Sequence, residues 1–288
     1  MFEKIFVAME MDPAAHEIIS CLGGLKPLGA RKAFLAHYLN VSEAIAASFE
    51  VAVDQLREGL AALKTELEEQ GFEVEAQVAV ASTHGEVNRL ILAKDASLVV
   101  VGAPPGSLGH ELLYGGVATT ILHNQVRPVL AYRMCGDASP CKGKACDFFS
   151  HILFPTDFSD NADRAFRVLE KIVEKGVGRV TLAHVQDLGI GEMYLQEKVQ
   201  ELAEIDRDRL EGLKARLTAK HNVQVETVVR SGIPGAELLQ LERELQPSMV
   251  LMGSQGRGYF SEIFLGSVSH TMARKGSSHL LLIPAREQ

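Results

Sequence analysis

The chain has 288 residues, 47% of them hydrophobic and 23% charged, with a net charge of −8. That length suits two domains of roughly 140 residues better than one compact core, and the acidic balance disfavours a nucleic-acid scaffold, whose phosphates attract the opposite sign. No apolar run reaches the roughly 20 residues a bilayer needs.

The N-terminal "MFEKIFVAMEMD" carries Glu3 and Glu10 around a short apolar run, so it reads as a first strand and not as a signal peptide. A cytoplasmic location is the expectation. Leu56, Leu60, Leu63 and Leu67 then mark a long helix by their spacing. "STHGEVNRLILAKDASLVVVG" follows, then a glycine-containing loop after "LVVVGA", and "RPVLAYR" (127–133) closes the first half as a strand.

Three of the four cysteines, Cys135, Cys141 and Cys146, come next in "RMCGDASPCKGKACDFFS". With His151 they give C-x5-C-x4-C-x4-H, a set of residue types that can hold zinc. The spacing lacks the C-x2-C knuckle, so the segment reads as a linker whose thiols stay reduced, with no metal assigned.

In the second half "HILFPTD" is a strand, and "NADRAFRVLEKIVEKG" a helix with Phe166, Leu169 and Val173 on one face. "RVTLAHV" is a second strand. A long helix follows, with Leu195, Val199, Leu202, Leu210, Leu213 and Leu217 close to one stripe. "VQVETVVRSG" is a third strand, "PGAELLQLERELQ" a helix, "SMVLMG" a fourth strand, and "HLLLIP" (279–284) a fifth after one more helix.

The chain is one unit written twice. "LVVVGAPPGSLGHELLYGGVATTIL" matches "MVLMGSQGRGYFSEIFLGSVSHTMA", pairing Gly102 with Gly253, Glu111 with Glu262 and Gly115 with Gly266 at one constant offset. Short apolar strands alternating with helices predict an α/β fold in each half, a parallel sheet covered by helices on both faces. The expected division is residues 1–133, a linker over 134–148, and residues 149–288. Ligands of such sheets sit at the C-terminal ends of the strands.

There the second half carries Gly253-Ser-Gln-Gly256-Arg-Gly258, and Gly266-Ser267 at a helix start. Glycines let backbone N–H groups approach an anion closely, and a helix N-terminus adds unpaired N–H groups and a positive dipole end. Phosphate suits that chemistry. G-x-x-x-x-G-K-[ST] is absent, G-x-G-x-x-G fails at Ser261, and no G-x-S-x-G elbow is present. The G-x2-G-x9-G-S pattern after a strand, together with "PTDFSDNADRAF" at the end of strand one and "SGIPGAELL", resembles the universal stress protein family over nearly the whole chain.

That resemblance implies tandem five-stranded parallel sheets of the adenine nucleotide alpha hydrolase-like, Rossmann-like type. It also implies that the second half binds ATP, ADP or AMP, and Mg²⁺ can accompany a triphosphate without a protein cage of its own. Asp157 would sit under adenine and ribose, with Pro155 and Thr156 lining the base pocket, although Asp157 also suits a helix cap. Val185 and Met252 would touch the base. Gly253, Gly256, Gly266, Ser267, Val268 and Ser269 would cradle phosphates, with Ser267 and Ser269 adding hydroxyl donors and Arg257 a cation. His184 reads as a core histidine. The first half departs from the pattern at Glu10, Met9, Pro105 and Gly116, against Asp157, Thr156, Gly256 and Ser267, and reads as a degenerate copy.

The expected function is a nucleotide-responsive stress or regulatory factor, with no catalytic residue assigned and hydrolysis slow where it occurs. The competing readings are a slow ATPase or nucleotidyl-transfer enzyme, and a nucleotide-independent interaction module. The apolar "RPVLAYR" and "HLLLIP" are expected to pair the two halves as a pseudo-dimer. Homodimerisation of the whole chain is a further expectation; no membrane or nucleic-acid partner is.

Overall fold

The computed structural model describes residues 1–9, 13–39, 49–80, 84–103, 116–134, 146–187, 196–256 and 265–285. Arg257, Glu10, Pro105, Glu111, Gly115, Leu195, Cys135 and Cys141 lie outside the described residues. Two compact units divide the chain, one containing Met1–Asp147 and the other Phe148–Ala285.

The first unit runs β1 (Lys4–Met9), α1 (Pro13–Cys21) with a 3-10 turn over Leu22–Leu28, β2 (Lys32–Leu39), α2 (Phe49–Glu69), β3 (Glu73–Val80), α3 (His84–Ala93), β4 (Leu98–Ala103), α4 (Val117–His123) and β5 (Val129–Arg133). The second repeats it as β6 (His151–Pro155), α5 (Asp160–Val173), β7 (Arg179–Gln186), α6 (Gln196–Thr218), β8 (Gln224–Ser231), α7 (Pro234–Leu245), β9 (Met249–Gly253), α8 (Ser267–Lys275) and β10 (His279–Ile283). Strand order is β3-β2-β1-β4-β5 in the first unit and β8-β7-β6-β9-β10 in the second. Every pair within a unit is parallel. The alternation of apolar strands with helices therefore gives the α/β arrangement the sequence predicts.

Strand chemistry explains the core. β6, β9 and β10 are buried along their whole length, as strands covered on both faces must be. α5 lays Ala165, Phe166, Leu169 and Ile172 against them, all but fully buried. That helix starts where the sequence offers a cap: the Ser159 hydroxyl accepts from the N–H of Ala162 at 3.2 Å, with Asp160 and Asp163 in the first turn and Lys171 in the last, matching the helix dipole. On α6, Leu210 and Leu217 are fully buried, but Leu202 is 40% exposed. It leaves the expected core stripe and faces a cavity described below.

In β6 the chain reaches the middle of its sheet, with β7 on one side and β9 on the other. After β8 it crosses back to form β9, so the strand order reverses between β6 and β9. The crevice at the C-terminal ends of those two strands is where open α/β sheets hold ligands.

Cysteine chemistry differs from the reduced linker expected. Cys146 is bonded to Cys21 at the end of α1, 125 residues earlier. Loop closure over such a separation leaves no trace in sequence spacing, which is why the C-x5-C-x4-C-x4-H run pointed elsewhere. Its histidine is also engaged, with His151 Nε2 2.9 Å from Thr181 Oγ1.

Candidate ligand-binding site

At the end of β6 the chain turns sharply. Thr156 N–H continues the ladder to Ala183 O at 2.8 Å, and the Thr156 hydroxyl then accepts from Phe158 N–H at 3.0 Å. Asp157 Oδ1 accepts from Ser159 N–H at 3.0 Å and from the Ser159 hydroxyl at 2.6 Å. Ser159, not Asp157, is thus the cap of α5; Asp157 holds the cap in place, and its Oδ2 lies on the side facing Gly256. Phe158 pays for this turn with a left-handed backbone, φ 59°, a strain on the order of 1–3 kcal/mol for a bulky residue. Its ring has two neighbours, the His184 ring at 4.7 Å and the Arg209 guanidinium over it at 4.7 Å.

The glycine loop is built around the same turn. A Cβ on Gly253 would lie 2.8 Å from Asn161 Nδ2, and Asn161 donates to Gln255 O at 2.8 Å, shaping the loop. A Cβ on Gly256 would lie 2.7 Å from Asp157 Oδ2. Neither glycine has a positive φ, so what they supply is close approach and not left-handed backbone. Gly266 meets the loop from the other side, its N–H donating to Ser254 O at 2.8 Å.

Gly266 is also the cap of α8 and brings no side chain to it. The first intrahelical bond runs from His270 N–H to Gly266 O at 2.7 Å, so the N–H groups of Ser267, Val268 and Ser269 have no acceptor inside the helix. The two serines differ. Ser267 is exposed; Ser269 is buried, and its hydroxyl donates to Gly253 O at 2.9 Å. The Ser269 hydroxyl proton is therefore spent on the fold, and what that residue offers a ligand is its N–H.

These elements enclose a cavity of about 560 Å³. Its lining contains Pro155, Thr156, Asp157, Val185, Met252, Gly253, Gly256, Gly266, Ser267, Val268 and Ser269, which is every residue singled out from the sequence except Arg257. One end presents α8 amides and glycines; the wall beyond is apolar, with Val185, Met252 and Leu238.

The far wall was not foreseen. α6 contributes Leu202, Ile205, Asp206 and Arg209, with Leu202 and Ile205 exposed at the mouth. Asp206 Oδ2 accepts from Gln186 Nε2 at 2.8 Å and lies 3.5 Å from His184 Nε2. His184 Nδ1 is 2.7 Å from Thr156 O; a carbonyl only accepts, so Nδ1 carries the hydrogen. His184 thus holds the β6 turn through Nδ1 and sets Nε2 beside Asp206 of α6. The described lining residues include Asp157, Asp187, Asp206, His184 and Arg209 but no lysine; the uncapped α8 N–H groups at one end and the apolar wall beyond suit an anionic, partly apolar ligand.

The matching strand ends of the first unit carry bulkier side chains. Met9 and Tyr38 are buried; Tyr38 follows His37 as Val185 follows His184, two steps beyond the equivalent strand pairs Ala8–Ala36 and Pro155–Ala183. Burial pushes the Tyr38 phenol far above its ordinary pKa. Around Gly102 the space that Asn161 takes beside Gly253 belongs to apolar groups, since a Cβ there would meet Ile18 Cδ1 at 3.0 Å and Met134 Sδ at 3.5 Å. Gly116 starts α4 without a hydroxyl.

Comparison with known proteins agrees with the duplication. The Universal stress protein family profile matches residues 1–133 and again 149–284. Universal stress protein MJ0577 of Methanocaldococcus jannaschii is 27% identical over 154 residues, covering 47% of this chain and 94% of that protein. A universal stress protein of Mycolicibacterium smegmatis is 30% identical over 200 residues, 67% of this chain and 64% of the relative. The crystal structure of a universal stress protein from Archaeoglobus fulgidus superposes with a TM-score of 0.71 at 20% identity, covering 98% of this chain and 96% of that one; at that identity it speaks for the fold alone.

Proposed function

The chain belongs to the universal stress protein family, and from that premise we propose that its second half, residues 149–288, binds one adenine nucleotide, ATP before ADP or AMP, as a nucleotide-responsive regulatory factor. Residues 1–133 are the degenerate copy and 134–148 the linker. The observation that supports this reading is the joining, in one cavity, of an uncapped helix N-terminus with an apolar wall. Phosphates meet the N–H groups of Ser267, Val268 and Ser269 beside Gly253, Gly256 and Gly266. The base lies against Val185 and Met252 near Pro155 and Thr156, and Asp157 accepts from ribose hydroxyls or the exocyclic amine. A magnesium ion carried by the triphosphate needs few protein ligands.

The first half, the degenerate copy, binds nothing comparable: Tyr38 stands buried in the place of Val185, and Ile18 and Met134 crowd Gly102. Hydrolysis is slow in this reading: the described lining offers no lysine, and Asp157, the carboxylate facing Gly256, has one oxygen committed to the Ser159 N–H and hydroxyl. Calorimetric titration with ATP, ADP and AMP tests the reading. One site at micromolar concentration is expected; no heat with any of them, or two equal sites, overturns it. Pairing of the halves through "RPVLAYR" and "HLLLIP" belongs to the same proposal, and residues 149–288 expressed alone should then dimerise in sedimentation.

A further inference from the structure

The two sulfurs of the Cys21–Cys146 bridge sit in opposite environments. Cys21 is 2% exposed at the end of α1, whereas Cys146 is exposed at the end of the segment joining the two family-profile matches. Behind Cys21 stands Tyr132, fully buried on β5, with its hydroxyl 3.3 Å from Cys21 Sγ and 3.3 Å from Glu17 Oε1. Burial, and then the Glu17 carboxylate, push that phenol far above its ordinary pKa; its one hydrogen has two acceptors at equal distance, Glu17 Oε1 and Cys21 Sγ, and can turn to Cys21 when that sulfur becomes a thiolate.

Exchange of a disulfide requires a thiolate to reach one sulfur while the other departs as thiolate, and departure is faster when the leaving sulfur is stabilised. Here only Cys146 is open to an incoming thiol, and the sulfur with a hydrogen-bond donor behind it is Cys21. Burial by itself makes Cys21 the poorer leaving group; the Tyr132 hydroxyl is the group placed to offset that, and access selects Cys146 as the point of attack. We propose that Cys21–Cys146 is a thiol–disulfide exchange site, opened at Cys146 by a dithiol. It is independent of the nucleotide cavity, which lies in the other unit.

The step balances as two displacements. A thiolate of the dithiol attacks Cys146 Sγ, the S–S bond breaks, and Cys21 leaves as a thiolate that accepts from the Tyr132 hydroxyl. The reagent's second thiol then displaces Cys146 from the mixed disulfide. The dithiol is oxidised to its own disulfide, both cysteines are reduced, and the two protons of the reagent end on Cys21 and Cys146. Once the bridge is open, Asp147 is held covalently to the first unit only by the backbone running back to Arg133. The redox state of the surroundings therefore sets the length of unbridged connection between the two matched regions.

Mapping by mass spectrometry tests this on the full chain. In the oxidised protein the peptides of Cys21 and Cys146 should be joined to each other. Brief treatment with glutathione, a monothiol that cannot complete the second displacement within its own molecule, followed by acid quenching should leave the glutathione adduct on Cys146 at least tenfold over Cys21. Absence of the Cys21–Cys146 cross-link, or an adduct on Cys21 in equal or greater amount, overturns the proposal. Tyr132→Phe should slow opening by dithiothreitol about tenfold, the low end for one hydrogen bond to a charged acceptor; an unchanged rate in a variant that still forms the bridge removes the role given to Tyr132. The wild-type adduct ratio decides the exchange site itself, whatever the variant does.

Discussion

Substituting Gly256 by alanine isolates the packing on which the candidate site rests. The added Cβ would lie 2.7 Å from Asp157 Oδ2, well inside contact distance, and φ at Gly256 is not positive, so backbone strain is not the issue. Asp157 cannot swing away freely, because Oδ1 holds Ser159 N–H at 3.0 Å and its hydroxyl at 2.6 Å. Giving up one of these charge-assisted bonds costs about 1.5–3 kcal/mol. The damage then spreads to the α5 cap, since the Ser159 hydroxyl accepts from Ala162 N–H. Gly256→Ala should therefore destabilise the second unit by about 2 kcal/mol in urea denaturation and speed amide exchange at Ala162. It should also weaken ATP binding roughly tenfold, the equivalent of about 1.4 kcal/mol. In an Asp157→Ala background the clash has no partner, and the same substitution should be nearly neutral for stability. Equal cost in both backgrounds, or no cost in either, would refute the steric account of the glycine.

The two pocket serines should separate in their effects. Ser267→Ala is expected to weaken ATP binding with little change in stability, whereas Ser269→Ala removes a buried hydrogen bond to Gly253 O and should cost about 1 kcal/mol of stability; calorimetry and denaturation on both variants check this. Glu242, 2% exposed, accepts from Ser277 N–H at 2.8 Å and Ser278 N–H at 2.6 Å. Glu242→Ala strands both donors and should lower the unfolding free energy by about 2–4 kcal/mol, and a change under 0.5 kcal/mol would count against it. Stability should fall between pH 7 and pH 5. His151, through burial and then the Arg179 charge, and His270, through burial and then Arg274, titrate below their ordinary 6.5 in the folded chain. Their contribution is complete above 6.5 and is lost as pH drops through the folded values, because the unfolded chain binds the protons first. Urea midpoints at the two pH values read it, and His151→Gln should flatten the difference.

The glycine loop and the "PTDFS" turn were legible in sequence because the chain presents them beside a second, altered copy of themselves. What the glycines are for was less so: close approach to an anion was the expectation, while the structure adds that Asn161 beside Gly253 and Asp157 beside Gly256 leave no room for a Cβ. Periodicity placed Leu202 in the core stripe with Leu210 and Leu217, because spacing along a helix cannot tell where that helix passes the rim of its sheet. Asn161 holds Gln255 across 94 residues of sequence, and Asp206 meets Gln186 across 20. Neither pair has a local signature, and both became visible only when the fold brought their elements together.

The chain contains no tryptophan and five tyrosines, so excitation at the red edge of tyrosine absorption, where phenylalanine does not absorb, draws emission from phenol rings alone. Tyr132 keeps its hydroxyl against the sulfur of Cys21, and a disulfide in contact with an excited phenol quenches it efficiently. Opening the bridge should therefore brighten the protein without any label attached. The native chain then reports its own oxidation state, readable in a stopped-flow cell while reductant is added.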